Sequence, residues 1–474
     1  MTLPAKFVER VLRDLGGTEG AALCAALDAE PPVSVRLNPA KTGADTLPAG
    51  PDAGLPVPEA AGLPALAIAR RVPWSRDGRY LAVRPSFTLD PDFHAGAYYV
   101  QEASSQFVGH LLAAVRTEGA RILDLCAAPG GKTTLYASLA GPDGLVVANE
   151  IDRRRASVLA DNVRKWGTGN VAVTTCEPRA LGDFEAWFDV VAVDAPCSGE
   201  GMFRKDPDAR GEWSEGNVKQ CAARQDEILR EAWRALKPGG TLVYSTCTFN
   251  RDEDEGALER MAAWAGDEIA ESEETAVEDA WGIVCGRVGA FRTFRFYPHR
   301  TCGEGFFAAV ARKSFDAGGR VRAPKARRTV FAAVDRKTAG ELARWVRNPG
   351  GMHFAAVADT CYAWYAAQAD AVRTLSEALP VIYSGVALGQ VFKGVLKPDP
   401  ALAFFDGMNR GALPAAELDD EETLRFLRRQ DIAAGGLAEG MNLVCSRGRA
   451  LGFAKRIGAR VNNLYPNSLR IIKQ

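Results

Sequence analysis

A chain of 474 residues, 47% hydrophobic and 25% charged, holds enough apolar material for two to four packed domains and is too hydrophobic to be disordered throughout. A net charge of −1 points to no partner by itself, no apolar run approaches the roughly 20 residues that cross a bilayer, and the first residues are too polar for a secretory signal, so a cytoplasmic protein is expected. Ten scattered cysteines with no Cys-x-x-Cys spacing, and four dispersed histidines, support neither a disulfide framework nor a zinc site, and reduced thiols are expected.

Residues 1–40 read as helix, helix and an extended piece: Phe7, Val8, Val11, Leu12 and Leu15 recur at helical spacing, and Pro31-Pro32 ends the pattern. A Gly/Pro/Ala-rich stretch, 39–64, reads as a loop or weak small domain. From about 100 to 312 strand and helix alternate. Short apolar runs at 122–126, 145–150, 171–175, 190–194 and 241–245 predict buried parallel strands. Helices are predicted over 132–140, 152–166 and 218–236, the last closed by Lys237-Pro238-Gly239-Gly240. Residues 291–297 and 305–311 predict a terminal antiparallel pair. This is the pattern of a doubly wound α/β domain, and such sheets bind ligands beyond the carboxyl ends of their strands. The segment 314–328 reads as a linker, and 382–391, 443–445 and 451–453 as short strands of one or two smaller C-terminal domains. The expected units are therefore 1–95, 96–313, the linker 314–328, 329–379 and 380–474.

Charge is uneven along the chain. Residues 312–328 carry seven Lys/Arg against Asp316 alone, and 442–474 carry seven with no acid, whereas acids gather at 252–255 and 417–422. Each basic stretch is either a footprint for phosphates or an ordinary linker or solvated face.

Three motifs carry chemistry. Cys126-Ala127-Ala128-Pro129-Gly130-Gly131-Lys132-Thr133 nearly spells a phosphate-binding P-loop, but Cys126 stands at the first glycine position and Pro129 removes a backbone donor. The competing reading is the glycine-rich cofactor turn of an adenosylmethionine-dependent methyltransferase, with Glu150, about 20 residues on, accepting the ribose hydroxyls. Cys197, in Asp194-Ala195-Pro196-Cys197, and Cys247, in Ser245-Thr246-Cys247, each follow a predicted strand of that sheet. A lone buried cysteine is usually a small hydrophobe, but two at strand ends beside a cofactor turn suggest covalent catalysis. Carbon 5 of a pyrimidine is a poor nucleophile until a thiolate adds to carbon 6; two thiols could divide attack and release between them. Asp194 could accept a hydrogen bond from the cytosine amino edge or from the cofactor. A nucleotide hydrolase is the third alternative, after a DNA cytosine methyltransferase attacking through Cys197 and a non-catalytic RNA-binding factor that keeps the fold.

The stretches 124–133, 194–206 and 244–248, flanked by 98–105, Pro298-His299 and 305–307, resemble the Sun/RsmB/RsmF family of RNA cytosine-5 methyltransferases. Residues 382–389 and 451–457 resemble its RsmF branch in particular. The resemblance covers most of the chain and is weakest over 39–95. It implies a class I methyltransferase sheet, Rossmann-like and doubly wound, with a small N-terminal domain and a C-terminal α+β, PUA-like RNA-binding domain. It implies S-adenosyl-L-methionine as cofactor and cytosine of small-subunit (16S) ribosomal RNA as substrate, free or as the assembled 30S subunit, rather than DNA. No membrane partner is expected, and a monomer is the default. By the same resemblance Cys247 is the nucleophile and Cys197 assists release, while Cys126, Ala127, Ala128, Pro129, Gly130, Gly131, Lys132, Glu150 and Asp194 match cofactor-site positions. Glu177 stands where the family usually has an aspartate, and is long enough to reach the adenine amino group. Lys205 contacts the target nucleotide or its phosphate, or is structural. The acids 252–255 are expected to open a helix capped by Asn250, with no catalytic role.

Overall fold

In a computed structural model, residues 2–43 and 63–472 are described; most of the Gly/Pro/Ala-rich stretch expected as a loop or weak small domain lies outside them. Two helices, Ala5–Leu15 and Gly17–Leu27, lead into a four-stranded antiparallel sheet of Val33–Leu37 (β1), Ile68–Arg71 (β2), Gly78–Leu81 (β3) and Tyr98–Tyr99 (β4), in the order β2-β3-β1-β4. This sheet is pinned to the next domain by Arg36. Its fully buried guanidinium donates to Gln101 Oε1 (2.7 Å) and Thr134 Oγ1 (2.6 Å) and stacks on Trp166 at 4.5 Å.

The apolar runs of the middle of the chain become the parallel strands Arg121–Asp124 (β5), Leu145–Asn149 (β6), Val171–Thr174 (β7), Phe188–Asp194 (β8) and Leu236–Thr246 (β9), ordered β7-β6-β5-β8-β9. Their middles are apolar because helices cover both faces: one core gathers Leu123, Val147 and Val191, the other Ile122, Val146 and Val190. Phe306–Lys313 adds antiparallel to β9, followed outward by Phe291–Phe296 and Val284–Val288. Strand order reverses between β5 and β8, so the loops after these two strands open the crevice where such sheets bind ligands.

The opposite edge holds a surprise. Val381–Ser384, from the C-terminal half, pairs antiparallel with β7, with Val381 opposite Thr174 and Ser384 opposite Ala172. The sequence reads 382–391 as one strand; the structure breaks it at Gly385, where φ is +58° and an added Cβ would stand 2.4 Å from the Ala363 carbonyl oxygen. Val386–Phe392 then joins a different, antiparallel sheet with Ala332–Ala333, Met352–Val357, Thr360–Tyr365 and Val395–Pro398. That sheet straddles residue 380, so the expected boundary between 379 and 380 does not separate two units. Gly385→Ala combines left-handed strain with a backbone clash and is expected to lower stability by about 3 kcal/mol or more in chemical denaturation.

The last sheet comprises Ala415–Glu417, Gly440–Ser446, Arg449–Ile457 and Arg460–Asn463. Its basic residues are partly structural. Arg447 and Arg449 pair with the buried Asp92 at 2.9 and 2.8 Å, and Arg456 donates to the Leu437 carbonyl at 2.6 Å. Within 312–328, Lys313 is likewise buried, donating to the Trp233 carbonyl at 2.8 Å. Among the described residues no helix is long and apolar enough to cross a membrane.

Candidate active site

The glycine-rich turn runs from the end of β5 into the helix Gly131–Ala140. Neighbours hold its carbonyls in place: Asn162 and Tyr99 donate to the Pro129 oxygen at 2.9 and 3.1 Å, and Arg155 to that of Ala128 at 3.1 Å. Gly130 has φ +110°, and a Cβ there would stand 3.0 Å from Leu159 Cδ1, so only glycine fits this backbone against the helix Arg153–Trp166. The Lys132 amine is committed to Asp194 Oδ2 at 2.8 Å, across the crevice, which sets this turn apart from a P-loop, whose lysine serves phosphates. Burial works against the Lys132 ammonium, but the charge and hydrogen bond of Asp194 outweigh it and raise its pKa; Cys247 lies close enough to add to the same effect.

Asp124, ending β5, escaped the sequence reading as a site residue, although it opens the motif. It is 1% exposed; Oδ2 accepts from Thr133 Oγ1 at 2.6 Å, while Oδ1 is buried without a partner. Burial pushes its carboxyl up to about 7, with Asp194 and Glu150 adding to the rise and Thr133 and Lys132 opposing it. A carboxyl raised in this way makes the folded protein bind a proton that the unfolded chain releases near pH 4, so its contribution is fully present below that pH and is lost as pH rises toward 7. Asp124→Asn is expected to flatten that part of the stability–pH curve of the cofactor-free protein, measured by thermal unfolding from pH 4.5 to 8.

The acids of the next two strands stand at the same end of the sheet. Glu150, just past β6, is 4% exposed, with Oε1 accepting the Asp152 amide at 3.0 Å and Oε2 3.3 Å from Arg155. Asn149 braces this region, accepting from Thr174 Oγ1 (2.9 Å) and the Cys176 amide (3.1 Å). Glu177, after β7, is exposed and immediately precedes the helix Pro178–Gly182. The Cys126 thiol in the turn is pushed up by burial and by Asp124, Asp194 and Glu150, which keeps it a neutral wall.

The two cysteines meet. Cys197 Sγ lies 3.1 Å from Cys247 Sγ, and the Cys247 amide donates to Cys197 Sγ at 3.4 Å. The hydrogen bond with Cys247, then burial, then the charges of Cys247 and Glu253 hold the Cys197 thiol well above its ordinary pKa. Either sulfur can donate in this contact, and the pressure on Cys197 is toward its thiol form. Asp194 is fixed on its other side by Ser245 Oγ, which donates at 2.8 Å. Lys132 at the start of the helix after β5, Asp194 at the end of β8, and Cys197 and Cys247 on the loops after β8 and β9 thereby form one cluster.

What clamps the two cysteine loops lay hidden in the acidic run. Glu253 and Asp254 are 0% exposed, and the helix starts only at Glu255. Glu253 Oε2 accepts the Ser198 amide and Gln225 Nε2, both at 2.9 Å, and Oε1 accepts Asn250 Nδ2 at 2.7 Å. Asn250 Oδ1 accepts the Glu253 amide at 3.0 Å, the bond expected of a cap, although the turn it closes precedes the helix proper, and its Nδ2 bridges also to Thr248 Oγ1 at 2.8 Å. Asp254 accepts from Thr246 Oγ1 (2.6 Å) and pairs with the buried Arg295 at 2.7 Å. Lys205 is exposed.

The site fits a nucleoside cofactor: an orphaned buried carboxylate oxygen at Asp124, a turn that admits only glycine at 130, and a rigidly held acid at Glu150, all at one end of a doubly wound sheet. Fold and site together define an S-adenosyl-L-methionine-dependent methyltransferase. Residues 111–312 match the family described as 16S rRNA methyltransferase RsmB/F, 3–103 the N-terminal domain of 16S rRNA methyltransferase RsmF, and 414–471 the methyltransferase RsmF PUA domain. The chain is 31% identical over 418 residues to the ribosomal RNA small subunit methyltransferase F of Shewanella loihica, covering 84% of this chain and 83% of that protein. It is 32% identical over 424 residues to its namesake from Escherichia coli (strain SE11), covering 84% of each. The protein belongs to the RsmB/F family of 16S rRNA methyltransferases. Among solved structures it is similar to a methyltransferase homolog from Pyrococcus horikoshii (27% identity, TM-score 0.53, 65% of this chain and 94% of that one). The NSun6 structure from the same organism, at 20% identity and TM-score 0.53 over 65% of this chain and 98% of its own, shares the fold.

Proposed function

We propose that this protein methylates carbon 5 of cytosine in small-subunit (16S) ribosomal RNA, through a covalent bond between Cys247 and carbon 6 of the base, acting in the cytoplasm as a monomer. The observation that carries this reading is the Cys197–Cys247 sulfur contact of 3.1 Å beside the Lys132–Asp194 pair. A cytosine turned out of its stack presents its face to the cluster. The Cys247 thiolate adds to carbon 6, and the electron pair of the 5,6 double bond moves into the ring as an enaminate whose nucleophilic end is carbon 5. When bound, S-adenosyl-L-methionine supplies an electrophilic methyl group. A solvent base then takes the carbon 5 proton, the pair of that C–H bond re-forms the 5,6 double bond, and the carbon–sulfur bond breaks with its pair on the Cys247 sulfur; the Cys197 thiol, one hydrogen bond away, assists by donating to that departing sulfur. Asp194, fixed by Lys132 and Ser245, serves the cytosine amino edge or the cofactor.

Residues 126–132, Glu150, Glu177 and Asp194 form the cofactor site in this reading. Glu177 is exposed at the end of β7, where its extra methylene extends its reach toward the adenine amino group. The PUA-like domain, with those basic residues of 312–328 and 442–474 that are not consumed in internal pairs, holds RNA phosphates and gives salt-sensitive affinity. The test is direct. Purified protein is incubated with S-adenosyl-L-methionine and either 16S rRNA or 30S subunits, and the digested RNA is analysed by mass spectrometry. New 5-methylcytidine is the expected product; methylation confined to an exocyclic nitrogen or a ribose hydroxyl would sink the proposal.

A further inference from the structure

Val386–Phe392 and Val395–Pro398 form a hairpin that lies outside the matched methyltransferase and PUA segments. Its register pairs Phe392 with Val395 and Gln390 with Lys397, all on the face opposite the buried Leu396. Phe392 is 71% exposed and Val395 65%, an aromatic–aliphatic pair standing open at the tip. The Lys393 amine lies 5.4 Å from the Phe392 ring centre, Lys397 is exposed, and the Lys337 side chain reaches the tip beside Gly394. Residues 381–398 contain no Asp or Glu, and Asp335, at the start of the adjoining helix Arg336–Ala343, is occupied capping it at the Thr338 amide. The tip is held rather than loose, because Glu341 of that helix accepts the Leu396 amide at 3.0 Å.

An exposed ring flanked by amines, with the neighbouring Glu341 carboxylate already spent on the Leu396 amide, the Trp345 indole and Arg344, matches the chemistry of single-stranded nucleic acid, in which bases stack on an aromatic face while flanking phosphates meet cations. A protein partner fits less well, since one aromatic and one valine fall far short of the roughly 800 Å² per side of a stable protein interface. We propose that this hairpin is an RNA-stacking finger: an unpaired base of the ribosomal RNA substrate stacks on Phe392, with Val395 extending the floor and Lys393, Lys397 and Lys337 holding the adjacent phosphates. It rests on the reading of ribosomal RNA as substrate and adds a contact remote in sequence from the catalytic cysteines.

The test measures binding of full-length protein to a short fluorescent single-stranded RNA, to the same sequence as a duplex, and to 30S subunits, across a salt series. Phe392→Ala is expected to weaken single-strand binding about tenfold, to leave duplex binding and the salt slope unchanged, and to raise KM for RNA without lowering kcat. Phe392→Trp restores affinity, and Lys393→Ala with Lys397→Ala makes the salt slope shallower. Equal single-strand affinity of native and Phe392→Ala protein overturns the proposal. So does a defect seen only with 30S subunits, which would assign the tip to a ribosomal protein instead. If native protein binds none of the RNAs, the ribosomal RNA reading falls and takes the finger with it; if native protein methylates RNA but Phe392→Ala binds unchanged, only the finger falls.

Discussion

Replacing Cys247 with alanine is expected to abolish methyl transfer, by at least ~10⁴-fold in kcat, and to remove any denaturation-stable protein–RNA adduct. Without the bond to carbon 6 the pyrimidine ring offers no nucleophile at carbon 5, so no partial route remains. Cys197→Ala is expected to behave differently. Attack and methylation proceed, but the group beside the leaving sulfur is gone, so turnover falls while an RNA adduct accumulates that survives denaturing electrophoresis. The expected asymmetry is that Cys197, pushed toward the neutral thiol by its contact with Cys247 and by burial, serves release while Cys247 attacks. The informative measurement is the adduct rather than the rate. An adduct that needs Cys197 and survives loss of Cys247 would exchange the roles and reopen the DNA-enzyme chemistry.

Loss of the Glu253 carboxylate should be nearly as damaging, though Glu253 touches neither sulfur by hydrogen bond. Its two oxygens accept from the Ser198 amide, Gln225 Nε2 and Asn250 Nδ2, three donors on buried residues. Glu253→Ala leaves the Ser198 amide without its acceptor, at roughly 1–3 kcal/mol, and takes one acceptor each from Gln225 and Asn250, which keep the Pro196 carbonyl (3.0 Å) and Thr248 Oγ1 (2.8 Å); a stability loss of about 3 kcal/mol is expected in denaturant titration. Because Ser198 follows Cys197 directly and Asn250 lies three residues after Cys247, the sulfur contact should loosen as well. A fall in kcat of about 100-fold is expected from the misplaced pair. Affinity for S-adenosyl-L-methionine, read by calorimetry, should hold, since the cofactor turn after β5 is supported separately by Asn162, Tyr99 and Arg155. Loss of cofactor binding together with kcat would mean that the whole crevice had collapsed, not the cysteine loops alone.

Glu253 also marks how far the sequence could be read. The strands of the central sheet are legible because strands buried on both faces write themselves as continuous apolar runs, and the site is legible because its residues follow those strands at short, fixed distances. Cys197 and Cys247 do meet, and Lys132 and Asp194 with them. Locally, however, residues 250–255 have the composition of an exposed helix start. Only Arg295, Gln225 and Ser198, all remote in sequence, turn that run into a buried clamp. Arg447 and Arg449 mislead in the same way: an acid-free basic tail looks like a phosphate surface until Asp92, remote in sequence, claims two of its charges. Gly385 was invisible as a strand break because the conflict it avoids is with the Ala363 carbonyl, a tertiary neighbour that no local pattern reports.

The strand Val381–Ser384 has a consequence for how the protein comes into being. As the chain leaves the ribosome, β7 emerges with one edge bare, and residues 175–380 must follow before its partner exists. Throughout that interval the row of amides and carbonyls along Val171–Thr174 is open to any passing strand. A fragment cut after residue 313 would keep every catalytic group and still carry that permanently unfinished edge, inviting self-association. The C-terminal half is therefore a part of the enzyme's own sheet, and dissecting the protein at its apparent linker would sever a strand rather than separate two modules.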